Sequence, residues 1–432
     1  MTTQRTDPGM QRREFLKQIA VVSGGIMLNS VSLKSQTSNT LPDPLSSGIE
    51  HIVFVMMENR SFDHYFGWLQ GADGKQAGLS YVDNSGQSHS THHLSDFQGC
   101  GHHDPDHSFV GGRVELNNGA CDGWLRAGQN DTYAIGYYTQ DDLAFFGDSV
   151  QHWTVFDRYF SSIMAETFPN RMYQHAAQTD RIANTPDPSV LPTIWDQLSV
   201  HGITGRYYYS DVPFLALWGF KYLSISSLFP SFLQDCAAGT LPQVSFVEPR
   251  FLGAEAGLSG DDHPFADIRA GQAFLNQVYK AVTKSPLWRS TVLVIAYDEW
   301  GGFFEHVPPP NGVPDVQPAL GSLLGFRVPA LLISPWSRRT PVSHTVFEHT
   351  SVLKMIEWRW GLPSLTVRDA ATNNIVEAID FSKSKKNAPE YNVPVGPFGQ
   401  PCPSVARFAP NKWDLLKTVA EDHGWPIGAA AV

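Results

Sequence analysis

Hydrophobic residues along the chain form several long, nearly unbroken runs. The clearest are GIEHIVFVMMEN (residues 48–59) and STVLVIAYDE (residues 290–299). Strands buried on both faces have this composition, as the central strands of parallel sheets do. The pattern therefore predicts two central strands, and three shorter runs predict further strands: TGRYYYSDVP (204–213), LPQVSFVEP (241–249) and VPALLISP (328–335).

A second pattern places apolar residues at helical spacing between these runs. In DIRAGQAFLNQVYKAVTKS (267–285) the apolar positions include Ile268, Leu275 and Val282. The segment HTSVLKMIEWRWG (349–361) opens with residues that cap helices and ends at a glycine. Strands that alternate with helices predict an α/β fold, a three-layer sandwich with a mostly parallel central sheet.

One region interrupts this alternation. Residues 71–148 are rich in Gly, His, Asn and Asp, which predicts a loop-rich insertion that could wall a pocket. No Pro/Ser-rich linker divides the chain after residue 45. We therefore expect residues 46–432 to form a single domain that carries this insertion.

The N-terminal segment has the pattern of an export signal. Arg12 and Arg13 precede a mildly apolar run, residues 19–28, that is too short to span a bilayer. Paired arginines before such a run are typical of twin-arginine signals, although an amphipathic tail with two adjacent arginines is the alternative. We expect residues 1–45 to be a twin-arginine-type signal followed by a disordered linker, and the protein to be periplasmic or secreted.

Composition narrows the classes of partner. The 432-residue chain has a formal net charge of −11 and no basic stripe, which argues against nucleic acid as a partner. The four cysteines match no CxxC zinc pattern, so buried thiols or one or two disulfides are both open.

Polar residues follow the two strongest strands where each strand ends. Glu58 and Asn59 follow the first, and Asp298 and Glu299 follow the late one. Ligands in open α/β sheets bind beyond the carboxyl ends of the strands, so these side chains should meet at one edge. Three carboxylates and an amide together favour a hard divalent cation with oxygen ligands, although each pair alone is also typical of a turn or helix cap. One such cation would leave the set at about −1, and neither the metal nor its number is determined.

The segment AETFPNRMY (165–173) places a threonine, Thr167, ahead of residues that restrict the backbone. An alcohol is a poor nucleophile at neutral pH, and coordination to a metal is one way to activate it. The same cation would stabilise charge on a transferring phosphoryl group. The alternative is that Thr167 caps a helix that begins at Pro169, a role compatible with nucleophilic attack.

Seven blocks in this order resemble the phosphoesterase family that contains bacterial phospholipases C, plant non-specific phospholipases C and a bacterial acid phosphatase. They are ENRSFDHYFG (58–67), DPDHS (104–108), TFPNR (167–171), DDHP (261–264), DEWGGFFEHV (298–307), GFRVPALLISP (325–335) and EHTSVLKMIE (348–357). The resemblance covers about residues 48–362 and implies an alkaline-phosphatase-like fold with hydrolysis through a phosphorylated hydroxyl. It also implies that Glu58, Asn59, Asp298 and Glu299 are metal or active-centre ligands and that Thr167 is the nucleophile. Because coordination to the cation would activate its hydroxyl, we also expect Thr167 to be a metal ligand.

Two comparisons refine this resemblance. Many members read D-H-V where this chain has Glu305, His306 and Val307. TFPNR also resembles the C-x-P-x-R signature of sulfatases, in which a Cys or Ser is oxidised to formylglycine. Threonine does not readily follow that route, which makes a sulfatase a poor interpretation.

Histidines supply candidate proton donors. His107, His263 and His306 lie in the family-like blocks, so we assign them to phosphate contact or acid catalysis. His92 and His93 lie in the loop-rich region and are expected to make only local contacts. His349 is either a ligand or part of a helix cap. Arg171 and Arg327 are more typical of buried carboxylate pairs than of phosphate contacts.

The expected function is an exported, metal-dependent phospholipase C that acts on phospholipid and releases diacylglycerol and a phosphorylated head group. Aromatic residues of the insertion and of YYYSDVPFLALWGF (207–220) either form an apolar mouth for acyl chains or belong to the core. Two alternatives stay open: a phosphomonoesterase of acid-phosphatase type and a catalytically inactive surface binding module. Contact with a membrane surface and the oligomeric state are also open.

Overall fold

A seven-stranded sheet lies at the centre of the computed structural model, which describes residues 41–337, 342–403 and 411–429. These residues fall in one compact unit, residues 38–432. Most of the predicted signal and linker lies outside the described residues. The boundary at residue 45 and the export signal therefore stay predictions.

The strands along the described chain are β1 His51–Met57, β2 Ser80–Val82, β3 Ser88–Ser90, β4 His92–His93, β5 Gly136–Tyr137, β6 Thr154–Val155, β7 Gly205–Tyr209, β8 Ser226–Leu228, β9 Val244–Glu248, β10 Thr291–Tyr297 and β11 Ala330–Ile333. The central sheet has the order β6-β11-β10-β1-β9-β7-β8. Strands β10, β1, β9, β7 and β8 are parallel, whereas β11 runs antiparallel to both β10 and β6.

All five predicted strands are present, and β1 and β10 are buried along almost their whole length. The reversal of β11 did not follow from the sequence. Its four residues are all buried, and burial on both faces looks the same in either direction. Strands β6 and β8 have only two and three residues, too few for a recognisable hydrophobic pattern.

The α-helices of the described chain are α1 Phe62–Phe66, α2 Gly111–Leu116, α3 Phe146–Ser149, α4 Thr167–Ala176, α5 Ile194–Val200, α6 Phe229–Ala238, α7 Ile268–Lys284, α8 Pro318–Gly321, α9 Thr350–Trp360, α10 Val367–Ala371 and α11 Lys412–Asp422. Both predicted helices are present as α7 and α9. Asp267 caps α7 by accepting from the backbone N–H of Arg269, and Gly361 ends α9 with a φ of 65°. The mixed, mostly parallel sheet flanked by helices confirms the predicted α/β sandwich.

Among the described residues, no helix is long and apolar enough to cross a membrane. The aromatic run at 207–220 is mainly core: Phe214 and Leu217 are fully buried, and Phe220 is exposed. Most of this run therefore stabilises the sheet and does not provide a surface for acyl chains.

Residues 71–148 form a loop-rich region, in which the short strands β2 to β5 make two small two-stranded sheets. Its inner side carries Trp124, which packs in an apolar cluster with Trp300 and Phe304 beyond the end of β10. The insertion thus covers the sheet edge where the strand-end carboxylates lie.

One disulfide joins this insertion to a distant part of the chain. Cys100 and Cys402 are bonded across a sequence separation of 302 residues. Cys121 and Cys236 are buried free thiols. The bond holds the segment that leads towards α11 against the insertion.

Candidate active site

The two strand-end pairs lie side by side because β1 and β10 are adjacent and in register. Met57 pairs with Tyr297, so the residue after each strand faces the other. The Asn59 backbone N–H donates to Asp298 Oδ1 at 3.2 Å. Glu58, Asn59, Asp298 and Glu299 are all fully buried. The structure therefore brings the four predicted ligands to one edge of the sheet.

The backbone around this edge is unusually restricted. Asn59 has a φ of 59°, in the left-handed region that residues other than glycine seldom occupy. A Cβ at Gly301 would lie 2.2 Å from the Asn59 carbonyl oxygen, so only glycine fits at residue 301. This close approach holds the Asn59 turn against the turn that follows β10.

Thr167 is the first residue of α4, two positions earlier than the predicted helix start at Pro169. The N-cap residue is Glu166, and Thr167 is not a capping residue, so its hydroxyl is not used to start the helix. Asn170 holds the preceding loop: its Oδ1 accepts from the Ile163 N–H at 3.1 Å and its Nδ2 donates to the Ala165 carbonyl at 2.8 Å. The residues after Thr167 therefore set the position of its hydroxyl.

Arg171 attaches α4 to the sheet. Its Nε donates to Asp298 Oδ2 at 3.2 Å, and its guanidinium also pairs with Glu248. All three side chains are fully buried. The prediction of a buried carboxylate pair is confirmed, and one of the two partners is a predicted metal ligand.

Lys412, the first residue of α11, joins Thr167 to the strand-end pairs. Its Nζ donates to Thr167 Oγ1 at 2.7 Å and lies 3.5 Å from Glu58 Oε1. Trp413 Nε1 donates to the other Glu58 oxygen at 3.2 Å. Thr167 and Glu58 therefore both contact Lys412 Nζ and lie close together, as a common site requires.

Sequence reasoning missed Lys412 and Trp413. They lie beyond the last family-like block, and neither forms part of a recognisable motif. The Thr167 cluster is defined here by the residues that these contacts join: Glu58, Asn59, Thr167, Asp298, Glu299 and Lys412.

His107 lies at the edge of the Thr167 cluster. Its Nδ1 donates to the Pro105 carbonyl at 2.8 Å, which leaves Nε2 as the acceptor for Asn59 Nδ2 at 3.2 Å. The same Nε2 is 3.8 Å from Glu299 Oε1. The His107 ring is therefore held with Nε2 facing two predicted ligands, Asn59 and Glu299.

His263 is a buried imidazole with its own carboxylate. Its Nε2 lies 3.4 Å from Asp104 Oδ2, and its backbone N–H donates to Asp261 Oδ1. Burial alone would lower the pKa of His263, but the ion pair with Asp104 outweighs it and raises that pKa above its ordinary value. The sequence contained both partners in its DPDHS and DDHP blocks without showing that they would pair.

His306 lies in a different group of charges. It contacts Asp63 Oδ2 at 2.5 Å and Asp73 Oδ1 at 3.1 Å, and Arg327 pairs with Asp63 and Glu305. The Arg327 cluster is defined as Asp63, Asp73, Glu305, His306 and Arg327. Its contacts join His306 to this cluster and not to Thr167, and the catalytic assignment of His306 stays a prediction without support from these contacts.

The Arg327 cluster also contains one of two carboxylate–histidine groups with closely spaced ligand atoms in the described chain: Asp63, Glu305 and His306. Arg327 donates to both carboxylates, at 3.2 Å to Asp63 and 2.6 Å to Glu305. A guanidinium therefore already supplies the positive charge that these oxygens need. The predicted pairing of Arg327 with carboxylates is confirmed.

His349 contacts the backbone of a predicted ligand, Asp298. Its Nε2 donates to the Asp298 backbone carbonyl at 2.7 Å. Burial lowers the pKa of His349 to about 4, so the ring is neutral near neutral pH. Its contact orients the turn after β10.

The Thr167 cluster has the donor types that a divalent cation prefers. Three of its buried oxygens lack a hydrogen-bond partner within the described chain: Glu58 Oε1, Asn59 Oδ1 and Glu299 Oε1. Buried polar atoms without partners are costly, and hard oxygen donors are the ligands that such cations prefer. Glu58 Oε1 also lies 3.5 Å from Lys412 Nζ, and the closely spaced carboxylate–histidine groups of the described chain are two others, Asp63/Glu305/His306 and Asp104/Glu255/His263.

The charges of the cluster also favour a bound cation. Burial raises the pKa of Asp298 to about 6, and burial together with Asp298 raises that of Glu299 well above its ordinary value. The buried carboxyl groups of Glu58, Asp298 and Glu299 lie close enough together to oppose one another's ionisation. A cation bound among them would relieve this repulsion.

Asp261 is a further buried carboxyl group beside Glu58. Burial and the neighbouring Glu58 raise the pKa of Asp261 well above its ordinary value. For Glu58 burial alone would raise the pKa, but Lys412 and Arg171 outweigh it and lower that pKa. The pKa values of these two neighbouring carboxyl groups are therefore shifted in opposite directions.

Comparisons with known proteins identify the family of the chain. The model of the Phosphoesterase family matches residues 49–363. Non-specific phospholipase C1 of Arabidopsis thaliana is 30% identical over 450 residues, which cover 92% of this chain and 84% of the relative. Phospholipase C B of Mycobacterium tuberculosis is 32% identical over 457 residues, with 87% and 86% covered.

Among solved structures, similar chains include an alkaline phosphatase superfamily protein from Vibrio parahaemolyticus, with a TM-score of 0.39, 11% identity and coverage of 87% of this chain and 81% of that one. The lipoteichoic acid synthase LtaP from Listeria monocytogenes has a TM-score of 0.39, 10% identity and coverage of 85% and 82%. The family match spans most of the chain, including β1, α4, β10 and the residues that they place at the sheet edge. The chain therefore belongs to the Phosphoesterase family and is a phosphoric ester hydrolase.

Proposed function

We propose that the protein is an exported, metal-dependent phospholipase C that cleaves the glycerol-side phosphodiester of phospholipids through a phosphorylated threonine. The proposal depends mainly on one observation: the Thr167 hydroxyl lies at the start of a helix, beside buried carboxylates with unpartnered oxygens. Relatives named phospholipase C that match most of the chain support the substrate class.

Glu58, Asn59, Asp298 and Glu299, together with Thr167, would hold the metal. A divalent cation bound there supplies Lewis-acid polarisation of a phosphoryl oxygen and favours ionisation of a neighbouring hydroxyl. Arg171 keeps Asp298 in place through its hydrogen bond, and His349 holds the Asp298 backbone. The ligand oxygens are therefore oriented by the protein before substrate arrives.

Thr167 Oγ1 is the nucleophile in this proposal. It forms a bond to phosphorus while the bond from phosphorus to the glycerol oxygen breaks, and the hydroxyl proton passes to water. The ten-residue helix α4 points its N-terminus at the reacting group, where its dipole favours negative charge. Asn59 and His107 lie where they would contact phosphoryl oxygens.

His263 is assigned as the proton donor to the leaving glycerol oxygen. Its ion pair with Asp104 raises the pKa of His263 above the ordinary value and so favours the protonated imidazole. In the second step, neutral His263 takes a proton from the water that attacks phosphorus. The phosphorylated head group leaves, and the Thr167 oxygen regains a proton from solvent.

A substrate panel combined with elemental analysis of the purified protein tests this function. We expect phosphatidylcholine in mixed micelles to yield diacylglycerol and phosphocholine, and a divalent metal to copurify. Hydrolysis of p-nitrophenyl phosphate alone would indicate the acid-phosphatase alternative. Hydrolysis of neither compound by metal-loaded protein would favour a binding module.

Export is tested separately by cell fractionation. Paired arginines characterise the twin-arginine route, so the double substitution Arg12→Lys and Arg13→Lys should retain the protein in the cytoplasm. Unchanged export of this variant would contradict the proposed route. Activity of the retained protein serves as a control for folding.

A further inference from the structure

Lys412 is a lysine in an unusual place. It begins α11, where Asn411 caps the helix by accepting from the backbone N–H groups of Trp413 and Asp414. The Lys412 side chain is only 11% exposed, although lysines are rarely buried unless they are paired. Its ammonium does not extend to solvent but lies against the hydroxyl of Thr167.

A carboxylate accompanies this ammonium. The Lys412 Nζ lies 3.5 Å from Glu58 Oε1, so an acidic partner compensates the buried cation. The contact with Thr167 Oγ1 at 2.7 Å is therefore a hydrogen bond from a cation to the proposed nucleophile.

The surrounding packing holds the ammonium in position. The Trp413 ring stacks on Phe251 with centroids 3.9 Å apart and an interplanar angle of 10°. At the other end of the segment, Trp425 Nε1 donates to the Gly219 carbonyl at 2.8 Å. Tyr209 OH donates to the Pro426 carbonyl at 2.7 Å. The segment that carries Lys412 is thus fixed to the strands and loops around the site.

Building on the function proposed above, we propose that Lys412 is a catalytic residue that stabilises the phosphoryl group transferred to Thr167. In the free enzyme Nζ donates to Thr167 Oγ1. As the Oγ1–phosphorus bond forms, the same N–H group donates to a non-bridging phosphoryl oxygen. The ammonium keeps all its protons in this step, since the proton of the hydroxyl goes to water.

Two physical arguments support a catalytic role over a purely structural one. Phosphoryl transfer spreads negative charge over the non-bridging oxygens, and a cation held beside the nucleophile stabilises that charge without reorganising. Neutralising Glu58 does not require a hydrogen bond to Thr167, but Lys412 makes this bond. Lys412 also lies beyond residues 49–363, the part matched by the family model, so it adds to the motif residues.

The test compares Lys412→Met with Lys417→Met. Lys417 lies in the same helix, is 40% exposed and pairs with Glu421, so its substitution controls for effects on α11. With p-nitrophenyl phosphorylcholine as the substrate, we expect Lys412→Met to lower kcat about 100-fold and Lys417→Met to leave it unchanged. Circular dichroism melting of both variants establishes that they are folded.

Chemical rescue separates catalysis from structural support. The variant Lys412→Cys, treated with 2-bromoethylamine, regains an amine at nearly the original length. Cys121 and Cys236 are buried and the other two cysteines are bonded to each other, so treated wild type is a suitable control. We expect treatment to raise the kcat of the variant at least about 10-fold, because the cation beside the nucleophile is restored. Binding of orthovanadate, measured by calorimetry, should weaken in Lys412→Met and recover after the same treatment.

Three results would contradict the role of Lys412 while leaving the proposed function in place. These are a kcat of Lys412→Met within about 3-fold of wild type, the absence of rescue by the amine, and unchanged orthovanadate binding. Failure of wild type itself to hydrolyse any phosphate ester would instead overturn the proposed function. The two failures are therefore distinguishable.

Discussion

Two buried groups of charges lie near β1, and their difference shows how a functional cluster can be told from a structural one. Both combine carboxylates with cationic side chains. In the Arg327 cluster, Arg327, His306 and the neighbouring Arg158 contact the three carboxylates directly. In the Thr167 cluster, Lys412 pairs with Glu58, Arg171 pairs with Asp298, and Glu299 Oε1 lies 3.8 Å from His107 Nε2.

The hydrogen bonds differ between the two clusters. In the Arg327 cluster, Glu305 Oε2 and Arg327 Nε lack a hydrogen-bond partner within the described chain, whereas the Thr167 cluster leaves three oxygens without one. The unpartnered atoms of the Arg327 cluster are one acceptor and one donor, which a cation alone would not satisfy. Those of the Thr167 cluster are all oxygen acceptors, which a bound cation would satisfy. Composition alone would have ranked the two clusters alike.

The largest expected difference between the two clusters is tested by two substitutions. One removes the hydroxyl of Thr167 from the Thr167 cluster, and the other removes the imidazole of His306 from the Arg327 cluster. Thr167→Ala should lower kcat at least about 1,000-fold, because the variant lacks the oxygen that is proposed to form the phosphoenzyme. His306→Gln should retain kcat within about 5-fold. Hydrolysis of phosphatidylcholine by both variants provides the measurement, with mass spectrometry of trapped phosphothreonine as a second readout.

A high activity of Thr167→Ala would remove the nucleophile assignment. An equally large loss in His306→Gln would mean that the Arg327 cluster takes part in the chemistry after all.

Metal removal should distinguish the clusters almost as strongly. Dialysis against EDTA should lower activity about 100-fold or more, and a divalent cation should restore it, because the proposed metal polarises the phosphoryl oxygen. Glu58→Gln should lose bound metal by elemental analysis, whereas Glu305→Gln should retain it. Full activity after chelation, with no metal in the protein, would contradict the proposed centre.

His263 gives a pH-dependent test of intermediate size. His263→Gln should lower kcat about 100-fold, because the leaving oxygen loses its proton donor. In wild type, kcat should fall as the pH rises through the raised pKa of His263. Asp104→Asn removes the charge that raises this pKa, so the fall should move to lower pH. A profile that does not change between wild type and Asp104→Asn would exclude His263 as the acid.

The ion pair of His263 with Asp104 also affects the stability of the fold. Its contribution to the free energy of unfolding, like kcat, should decrease as the pH rises. Because the pKa of His263 is raised on folding, its contribution is complete below the pKa of the unfolded chain and is lost as the pH rises through the folded value. Urea unfolding of wild type and Asp104→Asn across this range should show the difference shrinking at high pH.

Arg327→Met should have the smallest effect on catalysis. It should nevertheless lower the free energy of unfolding. Asp63 and Glu305 would be left buried without their cation, which costs about 3–5 kcal/mol in the free energy of unfolding. Urea unfolding measures this loss, and kcat at a temperature where the variant is folded should change less than about 5-fold. Loss of kcat without loss of stability would reverse the roles of the two clusters.

Much of this arrangement follows from local patterns in the sequence. The hydrophobic runs predict β1 and β10, and the rule for strand ends then places Glu58 and Asp298 at one edge. The frame around Thr167 is also readable, although α4 begins at Thr167 and not at Pro169. The helix starts earlier because the Asn170 backbone N–H donates to the Glu166 carbonyl at 3.4 Å, which is a helical hydrogen bond and makes Glu166 the N-cap.

The remaining features depend on long-range packing that no local pattern specifies. Lys412 reaches Thr167 across 245 positions, and the lysine has no motif around it. The direction of β11 depends on how the chain returns to the sheet. His306 and His263 are equivalent in sequence, since each follows a residue with a carboxylate. They differ in the distant residue that each one contacts, which is Asp63 for His306 and Asp104 for His263.

The long separation between Lys412 and the motif residues has a consequence for biosynthesis. A ribosome that has completed the segment matched by the family model has produced all the strand-end carboxylates and Thr167, yet Glu58 still lacks both Lys412 and Trp413. Premature termination after residue 363 would therefore yield a polypeptide with every family motif and an unfinished charge balance. Such a fragment should be recognised by cellular proteases as incompletely folded.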